Sequence, residues 1–152
     1  MTAKERLAEL EIELPPVAKP AGAYVPALQN GTLVYTSGQL PFVDGKLRRT
    51  GKVGAEVSPE DAYDDARMCA INALAAIDAL VGLDKVERVV KVVGFVASDP
   101  SFTGQPKVIN GASELLGEVF GPAGEHARSA VGVAVLPADT PVEVELVVAV
   151  AS

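Results

Sequence analysis

Ser129-Ala130-Val131-Gly132-Val133-Ala134-Val135-Leu136, the five residues Pro137 to Pro141, and Val142-Glu143-Val144-Glu145-Leu146-Val147-Val148-Ala149-Val150 form the segment that decides the fold class. β-Branched residues dominate both halves and prolines bracket the middle, so the segment reads as two consecutive strands joined by a short turn. Alternation puts Glu143 and Glu145 on one face of the second strand and Val142, Val144 and Leu146 on the other. One face of the first strand is valine and the other is only Ala or Gly, which lets a ligand or another surface approach the backbone closely. The spacing predicts that the two strands pair as a hairpin through the Pro137–Pro141 turn.

Moving toward the N-terminus, Pro106 starts an amphipathic helix through Val108, Ile109, Ala112, Leu115, Leu116, Val119 and Phe120, closed by Gly121 and Pro122. Val86 to Ala97 is rich in β-branched residues and almost uncharged after Lys91, and it reads as a central strand covered on both sides. Before it, Ser58 caps a helix with Pro59 in its first turn and Asp61 three residues on. Ala62, Ala66, Cys69, Ala73, Ile77 and Leu80 recur at helical spacing as its buried face, with Asp61, Asp64, Asp65 and Asp78 on other faces and Gly82 at its end. Thr32 to Ser37 reads as a strand opened by Gly31, and Thr2 to Leu14 as a short helix stopped by Pro15 and Pro16. Strands come in groups rather than in strict alternation with helices, which points to α+β, a mixed sheet with two helices on one face. The uncovered face implies that the chain meets another copy of itself.

The 152 residues suit one domain, and 49% hydrophobic with 22% charged residues exclude disorder and fibrous repeats. No apolar run reaches the roughly 18 to 20 residues of a membrane span. The charged start MTAKERLAELEIEL is not a signal peptide, so a cytoplasmic protein with no membrane partner is expected. A net charge of −7 leaves no positive footprint for phosphate backbones, and nucleic acid is not an expected partner. Lys46, Arg48 and Arg49 are most simply a solvated turn. Cys69 cannot form an internal disulfide and reads as a small buried hydrophobe.

Arg128 stands at the start of the first C-terminal strand, where a guanidinium can grip a carboxylate with two bonds. A surface ion pair is the equally available reading from the residues alone. His126 reads as a solvated loop histidine.

Two motifs go further. Gly22-Ala23-Tyr24 with Leu33-Val34-Tyr35-Thr36-Ser37-Gly38-Gln39-Leu40-Pro41 resembles the N-terminal signature of the RidA/YjgF/UK114 family. Ala127-Arg128-Ser129-Ala130-Val131, with Leu136-Pro137 and Val142-Glu143-Val144-Glu145, resembles its C-terminal one. The similarity covers Ala21 to Val150, leaving residues 1–20 as an N-terminal extension with a short helix before a single domain of residues 21–152. The resemblance implies a chorismate-mutase-like fold and a homotrimer whose sheets form a central β-barrel, with clefts between subunits. It implies hydrolysis of 2-imino or enamine acids to 2-keto acids and ammonia, with no cofactor and no metal. Carried over by position, Arg128 holds the substrate carboxylate and Glu143 positions or activates the attacking water. Tyr24 lines the cleft, and the backbone at Ser37, Gly38 and Ala130 supplies donors. The sequence departs from the family at Ala130, often cysteine, and in the Gly- and Pro-containing segment 121–126, which marks a divergent subgroup.

With the two C-terminal strands paired, Arg128 and Glu143 of one chain lie on the order of 20 Å apart at about 3.3 Å per residue, so a shared cleft would draw them from different subunits. Two other functions stay open: a non-catalytic binder of small carboxylates in the same cleft, and a ribonuclease or translation inhibitor, which the acidic surface opposes.

Overall fold

The computed structural model describes residues 1–152, in the order α1 (Ala3–Glu9), β1 (Ala27–Asn30), β2 (Leu33–Thr36), α2 (Pro59–Val81), β3 (Val86–Ala97), α3 (Gln105–Phe120), β4 (Ala127–Val133) and β5 (Val142–Val150). The long helix starts where its residues demand: the Ser58 hydroxyl accepts the Asp61 N–H at 3.1 Å, and Pro59 sits where no N–H is needed. Gly82, at φ 85°, ends it. α1 is shorter than its leucine spacing suggests. Glu11 turns left-handed at φ 59°, and the Ile12 and Glu11 N–H groups donate back to Leu7 and Ala8, closing the helix before the prolines are reached.

One five-stranded sheet runs β1-β2-β5-β3-β4, mixed because β3 and β4 are parallel and every other pair is antiparallel. The expected C-terminal hairpin is therefore wrong. β5 lies between β2 and β3, and β4 is the edge strand on the far side of β3. The connection crosses the end of β3: the Ser98 N–H donates to the Val133 carbonyl on one side, and the Ala97 N–H to the Pro141 carbonyl on the other. Left-handed Ala138 and Asp139 bend it over. The arrangement satisfies the backbone groups on both edges of the apolar β3, which a local hairpin would leave to find another partner.

α2 and α3 cover one face, and the 29-residue core lies between them and the sheet. Along β3, Val89, Val92 and Val96 are fully buried, whereas Val93 and Phe95 on the other face remain half-buried, so β3 is covered on one side rather than both. The same open face carries Leu28, Tyr35 and Val147 in cross-strand register, and Val131 on the edge strand beside Phe95; Leu28, Tyr35 and Val131 are exposed. No helix is long and apolar enough to cross a membrane.

Asp65 corrects the reading of the α2 surface. It is 1% exposed, and Arg49 and Arg48 reach it at 2.7 and 3.1 Å. The basic trio is thus partly a clamp that fixes the loop after β2 to α2. Burial pushes the Asp65 carboxyl up against the pull of both arginines. Cys69 is buried as expected, and burial raises its thiol well above the ordinary value, which keeps it unreactive.

Candidate active site

Glu143 lies near the start of β5 and points to the open face, as its alternation with buried Val142 and Val144 requires. The chain after β2 passes beside it, because Gln39 exchanges two backbone hydrogen bonds with Val144, at 2.8 and 3.1 Å. That bridge sets Gly38 against the Glu143 carboxylate so closely that a Cβ at position 38 would overlap it. Gly38 is needed for this approach. Its N–H makes no hydrogen bond within the chain. The Glu143 carboxylate accepts none either, and burial, then the neighbouring Glu145, raises its carboxyl above the ordinary value.

A cavity of about 350 Å3 opens here, lined by Tyr24, Gly38, Glu143, Lys19 and Phe42 among others. Tyr24 is held at its rim, its hydroxyl oxygen accepting the Ala21 N–H at 3.1 Å. Three of the six expected site residues therefore meet in one space. Ser37 adjoins it, but the expected donor there is occupied. Its N–H goes to the Pro26 carbonyl at 2.8 Å and its hydroxyl to the Val25 carbonyl at 2.6 Å, so Ser37 fastens the Tyr24 segment to β2 instead.

Arg128 and Ala130 stand elsewhere. Arg128 pairs in register with Val92 and Ala130 with Gly94, so both point to the helix side of the edge strand β4. Glu143 pairs with Phe95 on the open side. Two strand spacings and three residues of rise separate the Arg128 and Glu143 backbones by about 14 Å. This is shorter than a hairpin would give, but the two side chains leave opposite faces. One chain does not bring them together.

The Arg128 guanidinium makes no ion pair. Its Nη1 donates to Asn110 Oδ1 at 2.8 Å and Ser113 Oγ at 3.2 Å, both on α3, and the rest of the fork is unpartnered within the chain. His126 belongs to the same group rather than to solvent. Its Nδ1 lies 2.6 Å from the Gly124 carbonyl, which can only accept, so the neutral ring carries its proton there. Nε2 then accepts the Ser113 hydroxyl proton at 2.9 Å, leaving the Ser113 oxygen to receive Arg128. Sequence reasoning missed Asn110 and Ser113. Their spacing of three places them on one side of α3, yet nothing local says that β4 runs beside it.

Residues 4–150 match the family described as "YjgF/chorismate mutase-like, putative endoribonuclease". The chain belongs to this family. Among YjgF relatives, the protein TCP17 of Trypanosoma cruzi is 46% identical over 144 residues, 93% of this chain and 90% of its own length. A 2-iminobutanoate/2-iminopropanoate deaminase of Dermatophagoides farinae is 32% identical over 139 residues, 91% of this chain and 94% of its own. The crystal structure of Atu1372 from Agrobacterium tumefaciens, a protein of unknown function, superposes with a TM-score of 0.90 at 44% identity, covering 99% of this chain and 94% of that one. The YjgF assignment thus joins the mixed sheet, its two covering helices and both motifs.

Proposed function

We propose that this protein hydrolyses 2-imino and enamine acids to 2-keto acids and ammonia, in clefts formed where the copies of a homotrimer meet. The observation that carries the reading is the division of the site. A guanidinium with no anionic partner lies on one face of the sheet, and a desolvated carboxylate beside a free N–H lies on the other. Copies arranged around a central barrel would bury Leu28, Tyr35 and Val131, and the shared site requires the β4 edge carrying Arg128 of one copy to meet the start of β5 carrying Glu143 of the next. The named activity of the Dermatophagoides farinae relative supports the chemistry.

In this mechanism Arg128 binds the substrate carboxylate and fixes the imine carbon near Glu143. Glu143 accepts a proton from water as the water oxygen bonds to that carbon. An enamine first tautomerises to the imine. Returning the proton to nitrogen then gives a carbinolamine, and passage of its hydroxyl proton to the amino nitrogen lets the C–N bond break, so that ammonia leaves and the keto oxygen comes from water. The atoms balance without a cofactor. The Gly38 N–H, which has no partner within the chain, would donate to the bound acid or to the water. An imine is electrophilic already, so no nucleophilic side chain is required. RNA cleavage is the weaker reading, since a net charge of −7 repels a phosphate backbone.

The test is ammonia release in an assay where an amino-acid oxidase or dehydratase generates the imine, with spontaneous hydrolysis subtracted. Addition of the protein accelerates release; no acceleration ends the proposal. The pH profile tests Glu143 separately. A protonated Glu143 cannot accept a proton, so the rate falls as pH drops through its raised pKa. Glu145→Gln removes one cause of that rise, which lowers the Glu143 pKa and moves the acid limb to lower pH. A limb that stays put, or moves up, removes Glu143 from the base role.

A further inference from the structure

A second cavity, of about 500 Å3, adjoins the one holding Glu143; the two share Ala18, Lys19 and Phe42, but neither Glu143 nor Gly38 lines the second. Pro15, Val17 and Phe42 supply an apolar wall, and Asn72, Asp44 and Lys19 supply polar groups. Its size falls within the usual range for small-molecule sites, roughly 300–1,000 Å3.

Asn72 shows that the cavity has a chemistry. The residue is 5% exposed on α2, and its Nδ2 donates to the Leu40 carbonyl at 2.9 Å and the Phe42 carbonyl at 3.2 Å. Two carbonyls can only accept, so they decide which end of the amide is nitrogen. Oδ1 receives no hydrogen bond from the chain, although it is not sealed from solvent-sized space as the orphaned oxygen of Asp65 is. The only sizeable space Asn72 lines is this cavity. A nearly buried amide oxygen with no partner in the chain, on a residue that lines a cavity, favours an occupant that brings an N–H or O–H. At the rim, Lys19 and Asp44 have no ion-pair partner.

Two acceptors, one cationic donor and an apolar wall complement a single compact chemistry. An ammonium group satisfies Asn72 Oδ1 and the Asp44 carboxylate, a carboxylate answers Lys19, and an apolar side chain covers Val17 and Phe42. We propose that this cavity is a binding site for an α-amino acid with an apolar side chain, adjoining the reactive cavity but not including Glu143 or Gly38.

Isothermal titration of the full chain with leucine, isoamylamine and 4-methylpentanoate tests it, because the last two each carry one half of the zwitterion. Leucine is expected to bind saturably, once per chain, and at least about tenfold more tightly than either half-molecule, the equivalent of about 1.4 kcal/mol. Asn72→Leu also loosens the loop it anchors, so Val17→Trp is the cleaner variant: it fills the cavity, keeps both Asn72 bonds, and weakens leucine at least about tenfold. Lys19→Gln brings leucine down to the affinity of isoamylamine. Arg128→Ala leaves leucine binding unchanged, which separates this site from the reactive one. No heat with leucine, undiminished binding in Val17→Trp, or loss of binding in Arg128→Ala overturns the assignment.

Discussion

Arg128→Ala is expected to lower kcat/KM for imine hydrolysis by roughly 30- to 1,000-fold, the equivalent of about 2–4 kcal/mol for truncating one partner of a hydrogen-bonded charge pair. The expectation rests on how the guanidinium is held. Asn110 Oδ1 and Ser113 Oγ fix Nη1 without contributing charge, so the whole positive charge and the remaining fork stay available for an anionic substrate. A surface arginine already paired to a carboxylate would lose little on truncation. Arg128→Lys keeps the charge and loses the planar fork, and it should recover only part of the loss. Asn110→Ala and Ser113→Ala each remove one holding bond of about 0.5–1.5 kcal/mol and should act mainly on KM, by about 2- to 10-fold. His126 extends the same chain of bonds, since its Nε2 lies 2.9 Å from Ser113 Oγ. An Arg128→Ala protein with wild-type kcat/KM for ammonia release would mean that the guanidinium does not touch substrate.

The elements of this fold were readable because their signals are local. Ser58 with Pro59, Gly82, Pro106 and Gly121 mark both long helices, and alternation along Val142 to Val150 tells which side chains are buried. The order of strands was not readable. β3 has a long apolar edge on each side, and whether β4 takes one of them or folds back on β5 depends on tertiary contacts that no window of sequence contains. The error carries into the site. A hairpin puts Arg128 and Glu143 at opposite ends of one ribbon, whereas the sheet puts them on opposite faces. Buried polar groups were hidden for the same reason. Asp65 looks like any acid on a polar helix face until the loop carrying Arg48 and Arg49 closes over it. Gly38 and Glu143 were each picked out by motif, but their contact comes from the Gln39–Val144 bridge.

The packing of the two helices gives a prediction whose sign separates close contact from helix propensity. Gly111 lies where α3 crosses α2, and a Cβ there would overlap the Tyr63 carbonyl oxygen and lie 3.2 Å from the Arg67 nitrogen. These are backbone atoms, so relief requires the helices to part. α3 cannot give way cheaply, because Ile109 fills the space left by Gly94 on β3, where a Cβ would meet it at 2.5 Å. Gly111→Ala should therefore destabilise by about 3 kcal/mol, the upper part of the overpacking range. At about 2–4 °C per kcal/mol for a chain of this size, the thermal midpoint falls by roughly 6–12 °C. Gly117, on the same helix, has nothing within 4 Å of its Cβ position and is exposed. There Ala should raise stability by roughly 0.5–1 kcal/mol, through helix propensity alone. The two variants are compared by circular dichroism melting at one fixed protein concentration, since association shifts the midpoint. If Gly111→Ala melts at or above the wild type, as Gly117→Ala should, the helices do not approach each other as closely as the absent side chain implies.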